Sequence, residues 1–446
     1  MHHESFSCFP NSFRRRAVTR VLTLVMITSC FLLAPLKSFA ADDDLRTKVS
    51  SLVGALDAAD LTDRDAAEAE LKKLGHAALP YLPKEDDSDL SAEQKLRLGR
   101  IIPLLWDSKA KASVDGSMIL VEKEEMLLSD FLTLFQDSSG NRFVDLRSDL
   151  KQPIDDPTVL AAKGKQPFWK TLDEAMSKAG YVLYPNQPNR AIGFAHGVPV
   201  ASPVFYSGAF RFRLDRVIAR RDFGLANEVP SCQFDITMQV EPRLHPIQIQ
   251  LVGDQCRATG SDNSALEYLG PKRAFMTFED DSIQLTLPLR FQSPARSVES
   301  VREIKGVLDV LLPSQKATFA FDDLAKAKAV TKSDSGLAVT LREFDTSEEG
   351  VWAARFIVER KTAERETESY LQTELKNELF LEASDGRRVI QDGGMNSQDL
   401  GDGRTEYEYL FVDVPGTPHD YKLILYIPAG LVRAPVNFEF TNIPLP

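Results

Sequence analysis

Apolar positions change their period twice along the 446 residues. In 43–108 they recur at helical spacing. Ala66, Ala67, Leu71 and Leu74 fall on one face of a helix that Thr62 is placed to cap and Gly75 to close. Leu96, Leu98, Ile101 and Ile102 continue a second helix behind a Ser91/Gln94 capping box, and Pro103 should end or kink it. Between 115 and 198 short patterns alternate. A strand at 118–121 precedes a helix opened by Ser129 and Asp130 and stopped by Gly140. Strands at 143–146 and 158–162 follow, then a helix from about Pro167 to Gly180, then strands at 181–184 and 191–194. From about 200 onward the period is two. Runs at 204–206, 210–214, 233–240, 247–252, 282–289, 303–311, 337–341, 351–360, 378–381, 406–412, 421–427 and 436–440 are separated by Gly, Pro, Asn and Asp. About a dozen short strands exceed one seven-strand sandwich, so a boundary at 293–300 gives two. The last two runs predict a closing hairpin. The expected class is a multi-domain α+β chain: a helical module (41–112), a small α/β module (113–199), and mostly antiparallel β-sandwich domains at 200–295 and 296–446.

The first forty residues fit none of these units. Arg14, Arg15, Arg16 and Arg20 precede an apolar run at 21–34, and Ser38-Phe39-Ala40 places small residues at −3 and −1 of a cut between Ala40 and Ala41. That order is the signature of a secretory signal peptide over 1–40, and it sets a periplasmic or secreted destination in a bacterium. The apolar run is short for a membrane span and lacks a stop-transfer pattern, so no transmembrane domain is expected in the mature chain. Ile27-Thr28-Ser29-Cys30 is a competing lipoprotein box. Phe31-Leu32-Leu33-Ala34 continues the apolar run where a polar tether belongs, so lipid anchoring through Cys30 ranks second. The chain carries −12; losing five basic residues and one acid with 1–40 takes it to −16. So acidic a surface disfavours nucleic acid as a partner.

Export changes the reading of the cysteines. Cys232 and Cys256 remain after cleavage, and an even pair outside the cytoplasm suggests a disulfide. A hairpin of 233–240 with 247–252, centred on Leu244, would set 232 opposite 256, within the reach of a bridge.

Two stretches resemble known modules. Arg64-Asp65-Ala66-Ala67, Leu71, Leu74-Gly75, Ala78-Leu79-Pro80 and Leu82 resemble a HEAT-type helical unit, and the chain as a whole resembles exported bacterial proteins with such a leader. Leu128-Ser129-Asp130-Phe131-Leu132, Gly140, Trp169, Leu172-Asp173, Gly180-Tyr181 and Ile192 resemble the short α/β module at the N-termini of secretins and TonB-dependent receptors. That resemblance implies a periplasmic protein-interaction domain. The sandwiches that follow are neither pore nor barrel, so it implies no secretion or transport activity.

Candidate chemistry is sparse. There is no Gly-x-Ser-x-Gly elbow, Walker loop, dinucleotide fingerprint or His-Glu-x-x-His helix, and His76, His196, His245 and His419 are scattered. No catalytic residue, cofactor or metal is therefore expected. The acidic runs Asp86-Asp87-Ser88-Asp89 and Glu279-Asp280-Asp281 lack the spaced ligands of an EF-hand loop and are expected to be solvated loops. Phe205, Tyr206, Phe210 and Phe212 are the candidate binding aromatics, either a stacking platform for sugar rings or the core face of strands, as are Tyr407, Tyr409 and Phe411. The expectation is a non-catalytic envelope protein that binds another protein or acts as a scaffold, marked by an apolar patch or open sheet edge. The alternatives are a binder of cell-wall polysaccharide, marked by exposed coplanar aromatics, and a carboxylate hydrolase, marked by a deep pocket with two acids.

Overall fold

The computed structural model describes residues 37–83, 87–221, 229–278, 282–360 and 377–446. The basic segment, the apolar run and Cys30 lie outside them, as do Asp86 and 279–281. Ala40 and Ala41 fall within helix α1 (Lys37–Ala55). The chain divides inside that helix into two compact units, Met1–Lys48 and Val49–Pro446. Everything below concerns the second.

The helical region leads into mostly antiparallel sheets, the expected α+β class. Helix α2 (Leu61–Leu74) is capped by Asp60, whose carboxylate accepts from the Thr62 amide, so the cap lies two residues before Thr62. Gly75 closes it at φ +64°. Helix α3 (Ala92–Ser113) starts at the expected Ser91/Gln94 box and runs through Pro103 to Ser113. Arg97 locks the two helices together. Its buried guanidinium donates to Asp65 and Glu68, each at 2.8 Å, and to Glu93 at 2.6 Å.

The α/β module contains β1 (Met118–Val121), β2 (Glu125–Leu127), α4 (Leu128–Ser139), β3 (Phe143–Asp145), β4 (Thr158–Leu160), β5 (Gly164–Pro167), α5 (Phe168–Lys178), β6 (Tyr181–Gln187) and β7 (Ala191–His196). It is a duplication with a constant offset of forty residues. Leu128 and Phe168 open the helices, and Gly140 and Gly180 follow them at φ +74° and +79°. Ile119 and Val121 match Val159 and Ala161 as buried strand positions. The halves exchange strands. β1 pairs antiparallel with β5 (Met118 opposite Pro167), and β2 with β4 (Leu127 opposite Thr158), so each pairing is the image of the other. Leu128 N–H donating to Pro157 O and Phe168 N–H donating to Ser117 O, both at 3.0 Å, obey the same relation. A pseudo-twofold axis therefore runs through the ribbon. Among the described strands, β3–β7 alone pairs in parallel.

Two sandwich-like cores follow. The first sets β8 (Val204–Ser207), β9 (Phe210–Arg220), β10 (Ser231–Val240) and β15 (Gln284–Gln292) against a larger sheet. That sheet holds β11 (Gln248–Val252), β12 (Arg257–Gly260), β13 (Ala265–Leu266), β14 (Arg273–Met276) and the first half of β16 (Ser300–Phe321). The second sets β17 (Lys328–Asp334), β18 (Leu337–Asp345), β19 (Val351–Arg360), β22 (Met395–Gly401) and β23 (Arg404–Val412) against the far half of β16, β20 (Glu378–Ala383) and β21 (Arg388–Ile390).

The closing strand β24 (Tyr421–Pro444) corrects two expectations at once. The closing hairpin does not exist, because 421–427 and 436–440 belong to one strand of 24 residues. The boundary at 293–300 does not separate the cores either, because β16 and β24 pair in register from Ser300/Pro444 to Phe321/Leu423 and pass through both. The C-terminal half of β24 returns to the first core with Val432, Ala434, Val436 and Phe438, so the second sandwich is an insertion into the first. Pro313, Pro428, Gly430 and Pro435 suggested turns. Among the described residues, β16 and β24 have only each other as partners at Pro313, Pro428 and Gly430, and at Pro435 β24 pairs with β16 alone, so in each case the residue's outer edge has no ladder to break. Inward positions switch from even numbers (432–440) to odd (421–429) with no register slip, so the ribbon presents opposite faces to the two cores. Gly430, at φ +58°, sits at the switch, where a Cβ would lie 2.1 Å from Ser314 Oγ.

Candidate functional site

The module ribbon carries the clearest departure from ordinary burial. Its inner face packs Ile119, Val121 and Val159 against Phe131, Phe135 and Phe168. Its outer face should be polar, yet Met118, Leu120, Leu127 and Leu160 are 53, 52, 46 and 51% exposed. Among the described residues neither β1–β5 nor β2–β4 has a third strand, so both edges of the ribbon lack a ladder partner.

Beside it lies a cleft of about 490 Å³ between α4 and the 154–156 segment. Its floor is a charged cluster organised by Arg147, which is 5% exposed. The guanidinium donates to both oxygens of Asp145 (2.7–3.1 Å), to Asp155 Oδ1 (2.9 Å) and carbonyl (2.5 Å), and to the Tyr181 hydroxyl (3.1 Å). Tyr181 O–H donates to Asp155 Oδ1 at 2.9 Å, and its ring stacks on His196 at 4.5 Å. Hydrogen bonding to Arg147 holds the Asp145 carboxyl below its usual range, and the Tyr181 hydroxyl does the same for Asp155. Burial pushes Tyr181 up to about 12. Asp156, also on the cleft, is lowered by the Ser129 amide and hydroxyl it accepts from. A glycosidase acid needs the opposite shift, upward toward neutrality. The hydrogen bonds of these acids hold the 154–156 segment against α4 and β3.

A second polar cluster fixes the module to the first sandwich. Glu241 is fully buried and accepts from the Ser117 amide (2.7 Å) and hydroxyl (2.6 Å), Asn141 Nδ2 (3.2 Å) and Arg243 Nε (2.7 Å). Asp173 on α5 accepts from Tyr206 (2.7 Å) and Arg211 (2.6 Å) of the sandwich.

The remaining expected residues are structural. Phe210 and Phe212 are fully buried, Phe205 packs on Phe212, and Phe212 packs on Phe438. Tyr206 is tied to Asp173, so these four do not form a stacking platform: alternate residues of β8 and β9 point between the sheets. Tyr407, Tyr409 and Phe411 are buried in the second core. Cys232 and Cys256 are buried and unbonded, and burial pushes both thiols up to about 11. The hairpin meant to align them is absent. β10 pairs with β9 and β15, while β11 pairs with β14 and β16, because the chain changes sheets at Glu241 to make the joint. Cys232 faces Ala219 and Phe291, and the Cys256 thiol donates to Val252 O. His245 is exposed in the connection between β10 and β11.

The Arg147 cluster was not visible in the sequence, because Asp145, Asp155, Tyr181 and His196 converge only through the sheet. The duplication did leave a signal in the paired Gly140 and Gly180. Among the described residues no helix is long and apolar enough to cross a membrane, and no three His, Cys, Asp or Glu side chains gather as metal ligands. No protein-family model matches the chain, and no curated protein matches it.

Proposed function

We propose that this chain is a non-catalytic, exported envelope protein that works as an interaction scaffold, and that the twofold ribbon of its α/β module receives the partner protein. The reading rests on one observation. Met118, Leu120, Leu127 and Leu160 are exposed on a ribbon with no third strand among the described residues. Free strand edges are usually blunted by charge, proline or a covering element. An open edge with outward apolar side chains suits an extended segment of another chain, which adds a strand through backbone bonds and seats side chains in the apolar face. The resemblance to secretin and TonB-receptor modules supports the same reading, and the signal-peptide pattern supports its periplasmic setting. Polysaccharide binding loses its main support with the burial of Phe210 and Phe212.

The test is a photoreactive residue at Leu120, in the full chain at native level in its own host, with a matched one at Ile390, which is 71% exposed on β21. A discrete adduct with one envelope protein from position 120, absent from 390 and lost with Leu160→Lys, is the expected result. No adduct, or the same adducts from both positions, would sink the reading.

A further inference from the structure

Where β16 and β24 cross from one core to the other, α3 lies over the ribbon and leaves a cavity of about 660 Å³. That volume falls within the range of small-molecule sites. Its walls are mixed. Leu98 and Ile102 on α3 face Leu337 and Leu431 on the strands, and these four supply an apolar channel.

Two polar groups in the cavity lack side-chain partners among the described residues. Arg360, the last residue of β19, donates its backbone N–H to Gly403 O, but its guanidinium has no hydrogen bond or ion pair among the described residues. The buried Arg97 and Arg147 each meet two or more carboxylates. Arg360 is half-buried, and partial desolvation holds it below its ordinary value. Ser314 Oγ lines the same cavity, buried and with no partner among the described residues. Pro103, inside α3, removes the amide that Gly99 O would accept from, and both residues line the cavity. Lys95 stands exposed at the rim. Asp107 is the carboxylate among the lining residues, and it has a contact of its own.

We propose that this cavity binds an amphiphilic organic anion, with its acidic head on Arg360 and Ser314 Oγ and its hydrocarbon along Leu98, Ile102, Leu337 and Leu431. A guanidinium is built to receive a carboxylate or phosphate through two parallel bonds, and it does so most strongly out of water. A half-buried guanidinium with no partner among the described residues has its donors available to an anion that enters the cavity. None of the cavity's lining residues belongs to the β1–β5 and β2–β4 pairs.

Titration calorimetry on the mature chain tests it with four probes kept below micelle formation: octyl phosphate, octanoate, octylammonium and inorganic phosphate. One saturable site for octyl phosphate and octanoate is expected. Octylammonium should not bind, and inorganic phosphate should bind at least tenfold more weakly than octyl phosphate. Arg360→Gln should weaken both anions at least tenfold while leaving the melting temperature unchanged or higher, a result that a purely structural arginine would not give. Ile102→Trp, which fills the channel from the half-buried face of α3, should abolish binding even if the arginine variant does not fold. Lack of saturable binding, unchanged affinity in Arg360→Gln or Ile102→Trp, or inorganic phosphate binding as tightly as octyl phosphate overturns the proposal.

Discussion

The two halves of the α/β module have the same strands, helix and closing glycine, yet they meet different surroundings. Asn141 and Tyr181 are equivalent, each one residue beyond its glycine, and each is buried with its polar end on an acid–arginine cluster. Asn141 reaches Glu241 and Arg243 of the first sandwich. Tyr181 reaches Arg147 and Asp155 of the module itself. One copy meets the sandwich through Asn141; the other turns Tyr181 onto the module's own Arg147 cluster and meets the sandwich through Asp173 on its helix.

The joint is where the comparison breaks most severely. Glu241→Leu leaves Arg243, Asn141 Nδ2 and the Ser117 amide facing an apolar side chain. Removing one member of a buried charged pair costs about 3–5 kcal/mol, so a large fall in the urea midpoint is expected. Glu241→Gln keeps the acceptor oxygen and should lose less. If both variants unfold with the wild type, the joint contributes no stability.

The self-contained cluster should give a smaller effect with a pH signature. Arg147→Leu removes the donor from Asp145 and Asp155, which are partly solvated and can recover hydration, so about 2 kcal/mol is expected at neutral pH. Both carboxyls are held below their ordinary range in the fold. Their contribution is therefore present above about pH 4 and is lost as pH falls through the lower folded value. Wild-type stability should drop more steeply than that of Arg147→Leu below about pH 4. Parallel curves in urea titrations from pH 5 to 2 would show that the cluster does not set the acid limb. Tyr181 has the opposite sign. Its raised value, about 12, favours the neutral phenol, so its share persists below about pH 10 and disappears as pH climbs toward 12.

Much of this was legible in the chain. The helical region, the module's element order and most of the strands follow from the period of apolar positions, because burial on one face dictates period 3.6 or 2. The Ser91/Gln94 box held because its two bonds are local. What failed depended on partners far away. Pro428 and Gly430 read as a turn because a strand with two neighbours would not accept them, and the sequence does not state that β24 has one neighbour there. Cys232 and Cys256 read as opposite each other because the 241–247 connection looks like a turn, whereas Glu241 anchors it to Ser117, well over a hundred residues upstream. The charged clusters shared this weakness, since Arg147 and Asp145 are neighbours in sequence but Tyr181 and His196 are not.

The finest test of the duplication uses its glycines. Gly140 and Gly180 both hold positive φ, and a Cβ at either would meet nothing within 4 Å. Alanine at either position should therefore bring backbone strain without a clash, about 1 kcal/mol each. Their surroundings differ even so. Gly140 precedes the Asn141 that grips the sandwich, while Gly180 precedes the Tyr181 that grips only the module. If the halves are equivalent units, the two substitutions should lower the urea midpoint by matching amounts and add in the double variant, since they act through separate clusters. A larger loss at Gly140 would show that the joint amplifies strain in the half it holds. A larger loss at Gly180 would place the greater rigidity in the half whose Tyr181 holds the Arg147 cluster.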